Sequence, residues 1–181
     1  SFVQTNGTLG ASKAWFTTST WASVNISGLT PSTSYALDVQ ARNGAGVEAP
    51  GFSPAVNVTT VPLAPAPSAA TGVEAEAFTA NWSEASGATN YFLDIATDTN
   101  FASMFAGYDN LALGTALSAP VTGLTFNTVY YWRLRSENEG GVSTNSVTQS
   151  TLTAPAAPVA LAYSAPGTNQ FTANWSNAAG A

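Results

Sequence analysis

The chain has 181 residues, of which 45% are hydrophobic and only 8% charged, with ten acidic residues against four basic ones and a formal net charge of −6. Charged residues usually make up about 25% of a chain, so Ser, Thr, Asn and Gln must keep this surface wet, and the acidic balance argues against nucleic acid or an anionic membrane as partner. Cysteine and histidine are both absent, which removes disulfides, thiolate chemistry, imidazole bases and the commonest metal ligand together.

Within residues 62–154 the apolar pattern has period two, the spacing of strands and not of helices. Short runs at residues 2–4, 14–17, 24–26, 35–42 and 56–60 predict strands, and the Pro-rich residues 61–67 predict a linker. Phe78, Ala80 and Trp82 then alternate with Thr79 and Asn81, and Tyr91, Leu93 and Ile95 with Phe92, Asp94 and Ala96. Further on, Tyr130, Trp132 and Leu134 face one side while Tyr131, Arg133 and Arg135 face the other. A second Pro-rich stretch at residues 153–158 precedes a last pair of strands within residues 159–175. Proline lacks a ladder donor, which suits linkers and the entry to edge strands. No apolar run approaches the ~20 residues of a membrane helix, so no membrane insertion is expected. The chain opens on Ser1 with no leader pattern, as expected of a processed or excised piece.

The sequence repeats itself. Gly28-Leu29-Thr30, followed by Tyr35, Leu37, Val39 and Asn43, recurs 95 residues later as Gly123-Leu124-Thr125, followed by Tyr130, Trp132, Leu134 and Asn138. Phe78-Thr79-Ala80-Asn81-Trp82-Ser83 recurs letter for letter 93 residues later as Phe171-Thr172-Ala173-Asn174-Trp175-Ser176. A Trp on the second strand, then Gly-Leu-Thr, then a Tyr six residues after the Leu that leads into a long alternating strand, resembles a fibronectin type III domain. Repeat two departs only in having Phe126 where Pro31 stands in repeat one.

The resemblance implies an all-β fold of tandem immunoglobulin-like, fibronectin type III β-sandwiches, one complete and two partial. Residues 1–61 would be a partial repeat without its first two strands, 62–154 a complete repeat, and 155–181 a partial repeat of the first two strands alone. Trp82, Leu124, Tyr130, Trp132, Leu29, Tyr35 and Trp175 are then expected in cores, with the Tyr hydroxyl tying down a strand corner. Half-sandwiches leave apolar faces and open edges. The expected partners are therefore neighbouring repeats of the same protein, arranged head to tail and joined covalently or by strand complementation.

Candidate chemistry is sparse. The acid pairs Glu74/Glu76, Asp94/Asp98 and Glu137/Glu139 are spaced for one strand face, not for two carboxylates opposed across a cleft, and no catalytic residue is expected. Asp98-Thr99-Asn100 with Asp94 offers oxygens to Ca²⁺ but lacks the loop length, glycine and closing Glu of an EF-hand, so neither metal nor cofactor is expected. Arg133 and Arg135, near Glu137, are expected in cross-strand pairs.

Phe92, Phe101, Phe105, Tyr108 and Tyr131 are the candidate interaction surface, for stacking on sugars or packing on a subunit; second-layer packing is the competing reading. Sequons at Asn6, Asn25, Asn57, Asn81 and Asn174 allow glycans. The function expected is a non-catalytic, extracellular or cell-surface structural repeat, a segment of a fibre or surface array. The alternatives are a spacer or accessory module of a large secreted enzyme or adhesin, and a carbohydrate- or protein-binding module. Extracellular placement follows from the resemblance and the Lys-poor, Thr/Asn-rich surface.

Overall fold

A computed structural model describes residues 1–17 and 23–180. Among these there are fourteen strands and no helix; Ala181, the end of the expected third repeat, lies outside them. The sandwich is built by β5 (Ala66–Thr71), β6 (Ala77–Ser83) and β9 (Ser118–Thr122) in one sheet, ordered β5-β6-β9. Facing it are β7 (Asn90–Ala96), β8 (Leu111–Ala112), β10 (Val129–Asn138), β11 (Gly141–Val142) and β12 (Gln149–Leu152), in which β10 pairs with β7, β11 and β12.

Alternation along these strands fixes what faces inward. Phe78, Ala80 and Trp82 of β6 and Tyr130, Trp132 and Leu134 of β10 are buried in one cluster with Tyr91, Leu93, Ile95, Val121 and Leu124. The Phe78 and Trp132 rings lie 6.4 Å apart, bridging the two sheets. Pro67 and Pro120 sit on β5 and β9, the two edges of the smaller sheet, where a missing N–H disturbs no inner ladder. At the corner before β10, Tyr130 Oη accepts the Thr125 N–H at 2.9 Å. Thr153 Oγ1 donates to the Thr125 carbonyl at 2.7 Å and accepts from the Thr128 N–H at 3.0 Å.

The first copy reproduces that corner. Tyr35 Oη accepts the Thr30 N–H at 2.8 Å, and Thr60 Oγ1 donates to the Thr30 carbonyl at 2.7 Å and accepts from the Thr33 N–H at 3.0 Å. Its sheets are rudimentary: β1 (Phe2–Val3) with β2 (Leu9–Gly10), and β3 (Ser34–Leu37) with β4 (Val56–Thr59). The strands expected at 14–17 and 24–26 do not form, and the one expected over 35–42 stops at Leu37. Isolated strands are marginal without a third neighbour or a facing apolar layer, and among the described residues of this copy no strands equivalent to β5 and β6 are found. β13 (Ala160–Ser164) and β14 (Thr172–Trp175) form a lone hairpin near the other end.

The expected core residues therefore divide. Trp82, Leu124, Tyr130 and Trp132 are buried, while Leu29 and Tyr35 are half-buried. Trp175 is a correction: it is 66% exposed, because among the described residues no second sheet faces its hairpin.

Candidate functional site: the outer face of the larger sheet

Register brings the charged residues of β7 and β10 together, because Arg133 lies directly opposite Asp94. The Asp94 side chain is only 3% exposed. It accepts from Arg133 Nε at 3.0 Å, from Arg135 Nη2 at 3.2 Å and from the Asn110 N–H at 2.9 Å. Arg135 Nη2 also donates to Asn110 Oδ1 at 2.7 Å. The Arg133 guanidinium lies 3.9 Å from the centre of the Phe101 ring, and that of Arg135 lies 5.9 Å from Phe92. Both arginines thus make cross-strand pairs with Asp94, whereas Glu137 takes the Asn90 amide at 3.2 Å. A carboxylate held by two guanidiniums and an amide has no free lone pair aimed at a substrate.

The first copy makes cation–ring contacts at other positions, since Asp38 and Gln40 stand where Arg133 and Arg135 do. Arg42 lies 4.6 Å from the Trp15 ring, and Lys13 is 5.6 Å from Trp15 and 5.8 Å from Phe52 while pairing with Glu48 at 2.8 Å. All four basic residues of the chain therefore lie within about 6 Å of an aromatic ring centre, the range of cation–π attraction. Trp15 and Phe52 were not singled out from the sequence, because neither lies on a strand with a period-two pattern.

The five expected surface aromatics separate. Phe92 and Tyr131 are half-buried on the outer face. Phe101 is a correction, being 9% exposed beneath Arg133. Phe105 and Tyr108 are corrections too. Phe105 stacks on Tyr108 at 5.8 Å and meets Tyr130 edge-on at 5.4 Å, and Tyr108 Oη accepts the Thr122 N–H at 3.0 Å. Both rings are half-buried and pack against the core.

Asp98 does not share a site with Asp94. Its carboxylate accepts the N–H groups of Ser103 at 2.7 Å, Ala102 at 3.2 Å and Asn100 at 2.9 Å. Those bonds, the Ser103 one foremost, hold its pKa below the ordinary 3.8 against a small opposing effect of burial. The turn's extra stability is thus complete above about pH 3.8 and is lost as pH falls through the lower folded value. A carboxyl titration by NMR is expected to show this depressed midpoint, with the Ser103 amide shift moving alongside it; a midpoint at or above 3.8 would contradict the assignment. Among the described residues no three acids cluster for a metal.

Two sequons are engaged. Asn81 Nδ2 donates to Thr71 Oγ1 at 3.1 Å, and Asn174 Nδ2 donates to the Ala162 carbonyl at 2.7 Å and Ser164 Oγ at 3.1 Å. Glycosylation at that nitrogen would break each hairpin's own hydrogen bonds. Asn6, Asn25 and Asn57 are exposed. An apolar hollow of about 200 Å³ lies in the first copy between Leu9, Val24, Ile26, Leu29, Tyr35 and Leu37.

Two antiparallel sheets in this strand order, locked by a tyrosine corner that occurs twice, decide the fold. The chain has the fibronectin type III fold. No protein-family model matches the chain. It is 36% identical over 162 residues to Exoglucanase B of Cellulomonas fimi, covering 80% of this chain and 14% of that protein. The chain thus spans about one seventh of the curated relative's length.

Among solved structures it is similar to FN3tt, at 30% identity and a TM-score of 0.42 over 52% of this chain and 97% of that one. It is also similar to the FN1–FN3 domains of chicken CNTN1, at 20% identity and a TM-score of 0.42 over 70% and 45% of the two chains. The sixth fibronectin type III domain of a human fibronectin type III domain-containing protein matches at 24% identity and a TM-score of 0.44 over 52% and 87%. In this fibronectin type III sandwich the Asp94 pairs leave Arg135 Nε buried without a hydrogen-bond partner.

Proposed function

We propose that the chain is a non-catalytic spacer, a run of fibronectin type III repeats inside a longer extracellular protein, in which neighbouring repeats cover its two half-sandwiches. The observation that carries this reading is the match between exposed and buried positions across the repeats. Phe171 and Trp175 are 67% and 66% exposed, while Phe78 and Trp82 in the same hexapeptide are 2% and 5% exposed. The hollow of the first copy is lined by Val24, Ile26, Leu29, Tyr35 and Leu37. In the sandwich the counterparts of these residues, Ala119, Val121, Leu124, Tyr130 and Trp132, form one cluster with Phe78 and Trp82.

The likeness to part of an exoglucanase supports an accessory role beside a separate catalytic domain over a free-standing fibre. A chain extended before Ser1 by a second copy of residues 62–95 tests it. Amide exchange at Tyr35, Leu37 and Val58 is expected to slow by at least about tenfold, as a complete sandwich closes over them. Unchanged exchange at these three sites would remove the reading.

A further inference from the structure

We propose that the corner preceding the long strand of each repeat is a docking surface for the turn of the next, so that consecutive repeats are held at one fixed angle and the spacer is a stiff rod.

Two joints that share no residue bring equivalent positions of the repeat together. At the first, Ser32 has a positive φ of 49° and lies against Gly87, itself at φ 73°, in the turn between β6 and β7. A Cβ on Gly87 would stand 2.6 Å from Ser32 Cβ, so only glycine admits the approach. Ser32 Oγ donates to the Ser86 carbonyl at 2.6 Å. At the second, Asn127 has φ 48° and lies against Gly180, at φ 85°, where a Cβ would overlap the Asn127 side chain. Here the Ala156 N–H donates to the Ala179 carbonyl at 3.2 Å. Each corner is tied to its own linker by the same backbone bond: Ser32 N–H to the Val61 carbonyl at 3.2 Å, and Asn127 N–H to the Ala154 carbonyl at 3.1 Å.

The linker of the first joint is held from its other side as well. Thr59 Oγ1 donates to Glu139 Oε1 at 2.6 Å, Asn138 Nδ2 to the Thr60 carbonyl at 3.0 Å, and Ser136 Oγ to the Leu63 carbonyl at 2.7 Å. Gly140 sits against the Thr59 carbonyl, leaving no room for a side chain. Pro62 and Pro65 within the linker are buried and restrict φ, so the segment between β4 and β5 is no free hinge. Domains in one chain move relative to each other unless their interface holds them; here hydrogen bonds from both repeats fasten the connecting segment.

The purpose assigned to this stiffness rests on the spacer reading, but the geometry does not. The chain has no cysteine, so spin labels on Ala45→Cys and Ala106→Cys, both in exposed turns, report the distance between the first copy and the sandwich. Electron double resonance on the otherwise unaltered full chain is expected to give one narrow distance distribution. Adding Ser32→Gly and Thr59→Val is expected to broaden it at least about twofold. Ser32→Gly relieves a positive φ, so the local fold is not burdened, and an unchanged urea midpoint for the sandwich confirms that only the joint was altered. A broad distribution before these substitutions, or a narrow one after them, overturns the proposal. That failure would leave a flexible spacer standing, whereas the extension experiment above fails only if the spacer reading itself is wrong.

Discussion

Trp82→Ala is expected to lower the stability of the sandwich by about 3–4 kcal/mol, whereas Trp175→Ala, made in an identical hexapeptide, should change it by less than about 0.5 kcal/mol. Trp82 is 5% exposed and its ring lies 5.9 Å from that of Tyr91, whose hydroxyl accepts the Ala85 N–H at 2.8 Å. Truncating the indole removes buried apolar area and leaves a cavity beside a ring that also anchors the β6–β7 turn. One offset is that Trp82 Nε1 is buried without a partner, so its removal relieves a desolvated donor. Small domains have only about 5–15 kcal/mol of stability, so the variant's urea midpoint should fall steeply. Equal losses at the two positions would mean that Trp175 is as well covered as Trp82. If a following repeat is added to cover β13 and β14, the cost at Trp175 is expected to climb toward that at Trp82.

This pair also shows what the sequence made legible. Alternation, the repeated hexapeptide and the Gly-Leu-Thr corner were enough to place Trp82, Tyr130 and Trp132, because each lies on a strand whose period-two pattern is complete. Burial at Trp175 was not legible, since burial needs a facing sheet and an identical local sequence says nothing about one. Phe105 and Tyr108 were obscure for a different reason. They lie in an irregular segment between β7 and β8, which the Asp98 turn and the Tyr108 hydroxyl hold in place, so no periodicity marks their inward face.

The far side of β10 hid a further device. Leu134 and Ser136 donate their N–H groups to Ser146 Oγ and Ser143 Oγ, each at 3.0 Å. Hydroxyls thus stand in for strand partners, and β12 begins only at Gln149. Val39 and Ser53 form the same bond at 3.0 Å in the first copy, so this detour is part of the repeat. Serines in a polar loop carry no signal that they replace a ladder.

Asp94→Ala is the second large effect, expected to destabilise the sandwich by about 2–3 kcal/mol. The acid's side chain is 3% exposed and those of Arg133 and Arg135 are 27% and 28% exposed, so water can replace only part of what the arginines lose. Removing the carboxylate also leaves two guanidiniums on one strand face to repel each other and deprives the Asn110 N–H of its acceptor. Contacts with Phe101 and Phe92 remain, which keeps the loss below that of a fully buried charge left alone. Asp94→Asn retains an oxygen for Asn110 and should cost roughly half as much. The exposed Lys13–Glu48 pair, with side chains 38% and 39% exposed, is the internal control: Glu48→Gln should fall within about 0.5 kcal/mol. Urea midpoints of these variants with and without added salt decide the matter. A salt-insensitive loss at Asp94 supports a pair shielded by its aromatic neighbours, while a loss no larger than at Glu48 would show that the cluster is a surface network and contributes little to holding β7 against β10.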